Sequence, residues 1–162
     1  MADAVGGDEI NSGLTIERWT APDQETLALL SKYDREAFGE TGLRSYDLGV
    51  VARAGALFLG LIDGEIAACC QFIRMMDEPE SAWVVGFWVR PRFQGRGLGR
   101  DFLRELLGHL GEFGVRAVRL TVDPTNRRAR RLYAKFGFTE LERIEDFYGP
   151  GEHRIVLAWD ED

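Results

Sequence analysis

At 162 residues, 45% of them apolar, the chain has the length of about one domain and enough apolar side chains for a core, which argues against extended disorder. Its 20 Lys/Arg against 27 Asp/Glu leave a formal charge of −7, and no apolar run reaches the roughly 18 residues that a membrane-spanning helix needs. The acidic N-terminus lacks the basic start and apolar stretch of a signal peptide. Cys69 and Cys70 are adjacent, so in a strand they point to opposite faces and make a poor disulfide, and neither a CxxC nor a His cluster offers a metal site. Chemistry built on oxygen, backbone and aromatic groups in a reducing, cytoplasmic compartment is the expectation.

In chain order, residues 1–13 read as a flexible leader and residues 14–162 as one domain. Leu14 to Trp19 alternates like a first strand. Pro22 and Asp23 open a helix that carries Leu27, Leu30, Tyr33, Ala37 and Phe38 at helical spacing. A weaker helix follows over Leu43 to Arg53. Leu57–Ile62, Asp63-Gly64 and Glu65–Met75 form a hairpin, because Asp-Gly supplies the positive φ of a tight turn. The acidic stretch Asp77-Glu78-Pro79-Glu80 is a turn, and Ala82–Val89 a mostly apolar central strand. Next, Arg90-Pro91-Arg92-Phe93-Gln94-Gly95-Arg96-Gly97-Leu98-Gly99 leads into a helix whose apolar face repeats at Leu98, Phe102, Leu106 and Leu110 and which Gly114 ends. His109 is expected on its surface. Ala117–Val122 is a strand. Asp123-Pro124-Thr125-Asn126 starts a last helix with Ala129, Leu132, Tyr133 and Phe136 on one face. Phe138–Tyr148 and Arg154–Trp159, joined through Gly149-Pro150-Gly151, are the closing strands. The class is α/β (α+β), with a mixed, mostly antiparallel sheet flanked by helices.

Charge is divided along the chain. Arg90 to Lys135 holds twelve Lys/Arg against four Asp/Glu, and the remainder eight against 23. The basic block contains the glycine-rich turn, which points to an anionic ligand; the acidic remainder points to a cationic second substrate. The acidity of the whole and the lack of a basic-aromatic signature speak against nucleic acid. A strand followed by Gln94-x-x-Gly97-x-Gly99 and a long helix aims unpaired N–H groups and the positive end of the helix dipole at one spot, where a phosphate fits. Gly95, Gly97 and Gly99 permit close approach, and Arg96 and Arg100 add charge-assisted bonds. A Walker loop fails at Gly99-Arg100-Asp101, and a dinucleotide fingerprint fails at Arg100, where it requires glycine.

The segment Val89 to Gly99 resembles the acetyl-CoA pyrophosphate loop of the GCN5-related N-acetyltransferase (GNAT) family. Leu120 to Phe138, with its Asn126, Leu132-Tyr133 and Gly137-Phe138, resembles that family's second strand–helix hallmark. The resemblance implies a fold whose central strands splay into an acetyl-CoA cleft, and direct acetyl transfer from acetyl-CoA to a primary amine, small or peptide-borne. It implies that Phe87, Trp88 and Val89 offer backbone groups to the pantetheine arm and the thioester oxygen. Gln94, Gly95, Arg96, Gly97, Leu98, Gly99 and Arg100 would hold the pyrophosphate, Asn126 the cofactor's arm, and Tyr133 would act as general acid. No metal is implied, and a homodimer is left open.

The family's strand glutamate has no counterpart here: Ala82–Val89 contains no acid, and Thr121 stands between Leu120 and Val122. Glu78, Glu80, Glu152 and His153 are the candidate bases. Around the acceptor, Glu36, Glu40, Asp47, Asp146 and Glu152 can attract a cation, with Trp83, Trp88, Phe147 and Tyr148 as walls or as sheet packing. Two alternatives stand beside the enzyme: a non-catalytic acyl-CoA sensor of the same fold, motivated by the missing glutamate, and a basic-surface nucleic-acid binder.

Overall fold

The computed structural model describes residues 2–4 and 13–162. Eight strands are present: β1 (Ala2–Ala4), β2 (Leu14–Trp19), β3 (Ala56–Ile62), β4 (Glu65–Arg74), β5 (Ser81–Val89), β6 (Ala117–Val122), β7 (Thr139–Ile144) and β8 (Arg154–Asp160). The α-helices are α1 (Gln24–Phe38), α2 (Ser45–Ala54), α3 (Leu98–Leu110) and α4 (Arg127–Lys135). The β5–β6 ladder is parallel and the other registered ladders are antiparallel, so the sheet is mixed and mostly antiparallel as expected. No helix among the described residues is long and apolar enough to cross a membrane.

The chain divides into two compact units. The first comprises Met1–Ile73 with Val85–Leu107. Its strands run β1-β2-β3-β4 in spatial order. β3 reads Ala-Leu-Phe-Leu-Gly-Leu-Ile and is buried along its middle, as a strand covered on both faces must be. The β3–β4 turn places Asp63 at φ 50° and Gly64 at φ 78°, the two positive values of a tight hairpin. Asp23 caps α1 by accepting the Thr26 N–H at 2.8 Å. Leu30, Leu48, Ala52, Leu57, Leu59, Cys69 and Trp88 form one core cluster. Burying each leucine there contributes about 1.5–3 kcal/mol relative to exposure.

The second unit comprises Arg74–Val84 with Gly108–Asp162. Its strands run in the order β5-β6-β8-β7. The β5–β6 ladder consists of Ser81↔Ala117, Ala82↔Val118 and Trp83↔Arg119. The acidic turn before β5 closes through the Ser81 N–H on the Glu78 carbonyl at 2.8 Å. β7 is an edge strand, exposed over nearly its whole length, and Glu140, Glu142 and Arg143 guard it against further pairing.

Four expectations need correction. The last strand pair is shorter than its apolar pattern implied: β7 stops at Ile144, and residues 145–151 turn, with Asp146 at φ 53° and the Gly151 N–H on its carboxylate at 2.7 Å. His109 is buried at 9% exposure and not on the surface, because α3 tightens into a 3-10 turn after Leu110 and its last turn is covered. Ala37 and Phe38 continue the periodicity of α1 but are exposed, since that helix buries Leu30, Ser31 and Asp34 instead. Within the expected leader, Ala2–Ala4 pairs antiparallel with β2; the rest of that leader through Ser12 lies outside the described residues. Both cysteines are free and buried, and burial pushes both thiols up, far from a thiolate nucleophile.

Candidate active site

In the first unit, β5 runs into a single 3-10 turn, Pro91–Phe93, and then into the glycine loop. Phe93 is buried and anchors the turn between the Arg90 and Arg92 guanidinia, 5.9 and 4.8 Å from its ring. Glu65 on β4 takes both arginines, at 2.9 and 2.8 Å. The Gln94 side chain donates to the Val89 carbonyl at 2.8 Å, tying the loop back to the end of the strand. Gly95 and Gly97 adopt φ of 82° and 75°, conformations that L side chains rarely take. Nothing lies within 4 Å of a Cβ built on Gly95, and the loop from Gln94 to Gly97 is exposed. α3 begins at Leu98, so its first N–H groups face this loop without intrahelical acceptors. The Arg100 side chain folds back toward Gly97 and pairs with Asp101 at 3.3 Å. Among the described loop cations, Arg96 has no carboxylate within ion-pair reach. Gln94 to Gly97 thus form an exposed loop that runs into the start of α3, where Leu98 is buried and Arg100 exposed. On the preceding strand Trp88 is buried, while Phe87 and Val89 are half-buried, and the Phe87 ring packs 5.5 Å from that of Phe102.

In the second unit, Asn126 sits at the start of α4 with its side-chain oxygen accepting the Ala129 N–H at 3.1 Å. The expected ligand residue is therefore also the helix cap, which leaves its NH₂ group for a partner outside the helix. Asn126→Ala is expected to cost about 1 kcal/mol, read as a fall of about 2–4 °C in a melting curve. Tyr133 is 7% exposed, with its ring 5.3 Å from Phe138. Ahead of the cap, the Thr125 N–H and hydroxyl reach Asp123 at 2.8 and 2.7 Å. These bonds hold the Asp123 carboxyl below its usual value. Arg127, Arg130 and Arg131 line a groove with Ala134, Phe138, Glu140 and Leu157. None of the three pairs with a carboxylate among the described residues.

The candidate bases are largely engaged. Glu78 accepts the Ser81 hydroxyl at 3.0 Å, Glu152 pairs with Arg154 at 3.1 Å, and His153 Nδ1 lies 2.6 Å from Glu145. Sequence reading missed one arrangement here. The Thr121 hydroxyl on β6 lies 3.4 Å from the Tyr148 hydroxyl, and the Arg154 guanidinium covers the Tyr148 ring at 4.9 Å. A 27-residue separation left no local signal for that pair. It also missed Asp34, whose signal was available: an acid four residues after Leu30, at a core position of α1.

Compared with known proteins, residues 17–138 match the Acetyltransferase (GNAT) family. A mycothiol acetyltransferase of Thermobispora bispora is 34% identical over 130 residues, covering 78% of this chain and 41% of that protein. The [Ribosomal protein bS18]-alanine N-acetyltransferase of Haemophilus influenzae is 35% identical over 95 residues, covering 56% of this chain and 61% of its own. The chain thus spans less than two thirds of the length of these curated relatives. A putative acetyltransferase of Salmonella typhimurium, solved with its cofactor acetyl-CoA, shares the fold with a TM-score of 0.73 at 16% identity, over 93% of this chain and 95% of that one.

Proposed function

The chain belongs to the Acetyltransferase (GNAT) family, and from that premise we propose that it moves an acetyl group from acetyl-CoA directly to a primary amine. The observation that carries the proposal is the exposed loop from Gln94 to Gly97, whose two positive-φ glycines lead into the head of α3. Such a loop accepts phosphate oxygens on backbone N–H groups where side chains would obstruct them. The unpaired Arg96, and the arginines at the start of α4, add charge of the sign a nucleotide phosphate needs.

Acetyl-CoA supplies an acyl carbon activated as a thioester. Phe87, Trp88 and Val89 hold its arm through their peptide groups, and an N–H aimed at the thioester oxygen stabilises the charge that develops there. The amine nitrogen forms the new bond to the acyl carbon as the bond to sulfur breaks. Tyr133 gives its proton to the leaving sulfur, the nitrogen loses its surplus proton to solvent water, and a proton from solvent restores the phenol. For the acceptor, the exposed Glu36 and Glu40 of the first unit favour a cationic amine.

The test is thermal melting with saturating acetyl-CoA, with NADH as control, followed by amine-dependent release of CoA. A ligand at 100 times its Kd adds about 2.7 kcal/mol, so the midpoint should rise by about 5–10 °C with acetyl-CoA and stay still with NADH. No shift sinks the loop assignment. A shift without turnover over a panel of amines favours the acyl-CoA sensor.

A further inference from the structure

We infer that Asp34 is a positioning residue that holds the Gly86–Arg90 stretch of β5 in place from within. The inference rests on the proposed function only in taking that stretch as the edge along which acetyl-CoA lies. Asp34 is 1% exposed on α1. Its carboxylate accepts from three separate parts of the first unit. Oδ1 receives Gln71 Nε2 of β4 and Trp88 Nε1 of β5, each at 2.9 Å. Oδ2 receives the Leu43 N–H, ahead of α2, at 2.6 Å. No cation pairs with it among the described residues. A buried carboxylate is costly, and an apolar side chain of similar volume would serve stability as well. What an apolar residue cannot do is direct three N–H groups toward one point.

The alternate residues of β5 are each fixed by this network or its neighbours. At Gly86 the Gln71 carboxamide oxygen occupies the space that a Cβ would need, with Phe38 beside it. That oxygen is buried without a hydrogen-bond partner, so the carboxamide is held by its other end, through Asp34. At Trp88 the indole is bonded to Asp34 and meets the Tyr33 ring edge-on at 5.8 Å. At Arg90 the guanidinium lies 4.0 Å over the same Tyr33 ring, and the backbone N–H donates to the Ala67 carbonyl at 2.8 Å. Gly86 and Trp88 share one face of β5 and Arg90 follows its end, so the packing at Gly86 and the side-chain contacts of Trp88 and Arg90 set where the peptide groups of Phe87 and Val89 point. Asp34 and Tyr33 are neighbours on α1, and Leu43 leads into α2. The same carboxylate thus ties the α1–α2 connection, where the acceptor is proposed, to the strand proposed for the acyl donor. Precise placement of donors is what a site of this kind requires.

The test uses Trp88→Phe, which deletes the indole N–H but keeps an aromatic ring, together with Asp34→Asn and the double variant. The first readout is hydrogen exchange of the unliganded protein. Amides from 85 to 90 should exchange about tenfold faster in each variant, while those of β6 keep their wild-type rates. The second readout is acetyl-CoA affinity. Each single variant should raise Kd about tenfold, and the double variant should raise it by clearly less than the product of the two, because the Asp34–Trp88 bond is common to both. A core control in the second unit, Leu110→Ala at the C-terminal end of α3, should lower the melting temperature without either effect. Unchanged exchange at 85–90 overturns the inference, as does loss of affinity that merely follows melting temperature across all four variants. Faster exchange in a protein whose wild type fails to bind acetyl-CoA supports the clamp and overturns the proposed cosubstrate instead.

Discussion

Tyr133→Phe is expected to lower kcat for amine acetylation by about 10²–10⁴-fold, the range for loss of a positioned proton donor. The phenol is proposed to protonate the departing sulfur, and phenylalanine has no proton to give. Phenylalanine retains the ring that packs against Phe138, so the substitution should cost no more than one hydrogen bond, about 0.5–1.5 kcal/mol, in a melting curve. Binding of acetyl-CoA should stay within about twofold, because an interaction needed only as the thiolate leaves does not contribute to ground-state affinity. Steady-state kinetics with titrated acetyl-CoA checks this. Equal activity of Tyr133→Phe and the wild type removes the general-acid role. A parallel loss of affinity would instead make Tyr133 a binding residue.

Gly97→Asp should have the second large effect, on cosubstrate affinity. Gly97 holds φ at 75°, which costs a residue with a Cβ about 1–2 kcal/mol. The new side chain would also meet the Arg100 guanidinium at 3.1 Å and bring a negative charge to the positive end of α3. Those terms together predict a rise in the Kd for acetyl-CoA of about 10²-fold or more. Gly97→Ala carries only the backbone strain and the close contact, so it should weaken binding by a smaller factor. Calorimetric titration of both variants separates the charge from the strain. Wild-type affinity in Gly97→Asp would mean that the loop does not face the phosphates.

The fold was legible where pattern and punctuation agree. β2 and β6 fall where alternation puts them, the β3–β4 hairpin turns at Asp63-Gly64, and Asp23 caps α1 as its position before the apolar spacing implies. The glycine-rich turn into α3 was legible because its signals are local: glycine identity and helix onset lie within seven residues. Reading was poorest at the end of β7, where Phe147 and Tyr148 look like strand residues but pack edge-on to each other in a turn, their rings 4.5 Å apart. β-propensity describes fit to a half-buried pleated surface, and that surface ends at Ile144. His109 was misread for a similar reason, since helical periodicity does not say how much of the last turn is covered.

By itself the sequence determined the element order from β2 onward, the mixed and mostly antiparallel class, the family and the glycine-rich turn at the head of α3. Each of these depends on residues close together in the chain, or on short motifs whose order carries the information. Only the tertiary structure decided what distant residues do to one another. Asp34 reads as an ordinary helix carboxylate until folding brings Gln71, 37 residues away, and Trp88, 54 residues away, within hydrogen-bonding distance. Thr121 looks like a lost glutamate until the Tyr148 hydroxyl stands beside it. That the Asn126 oxygen caps α4 through the Ala129 N–H is likewise seen only in the folded chain. Local chemistry is set by covalent neighbours and can be read along the chain. The partner of a buried polar group is selected by packing among elements far apart in sequence, and it becomes visible only when they are assembled.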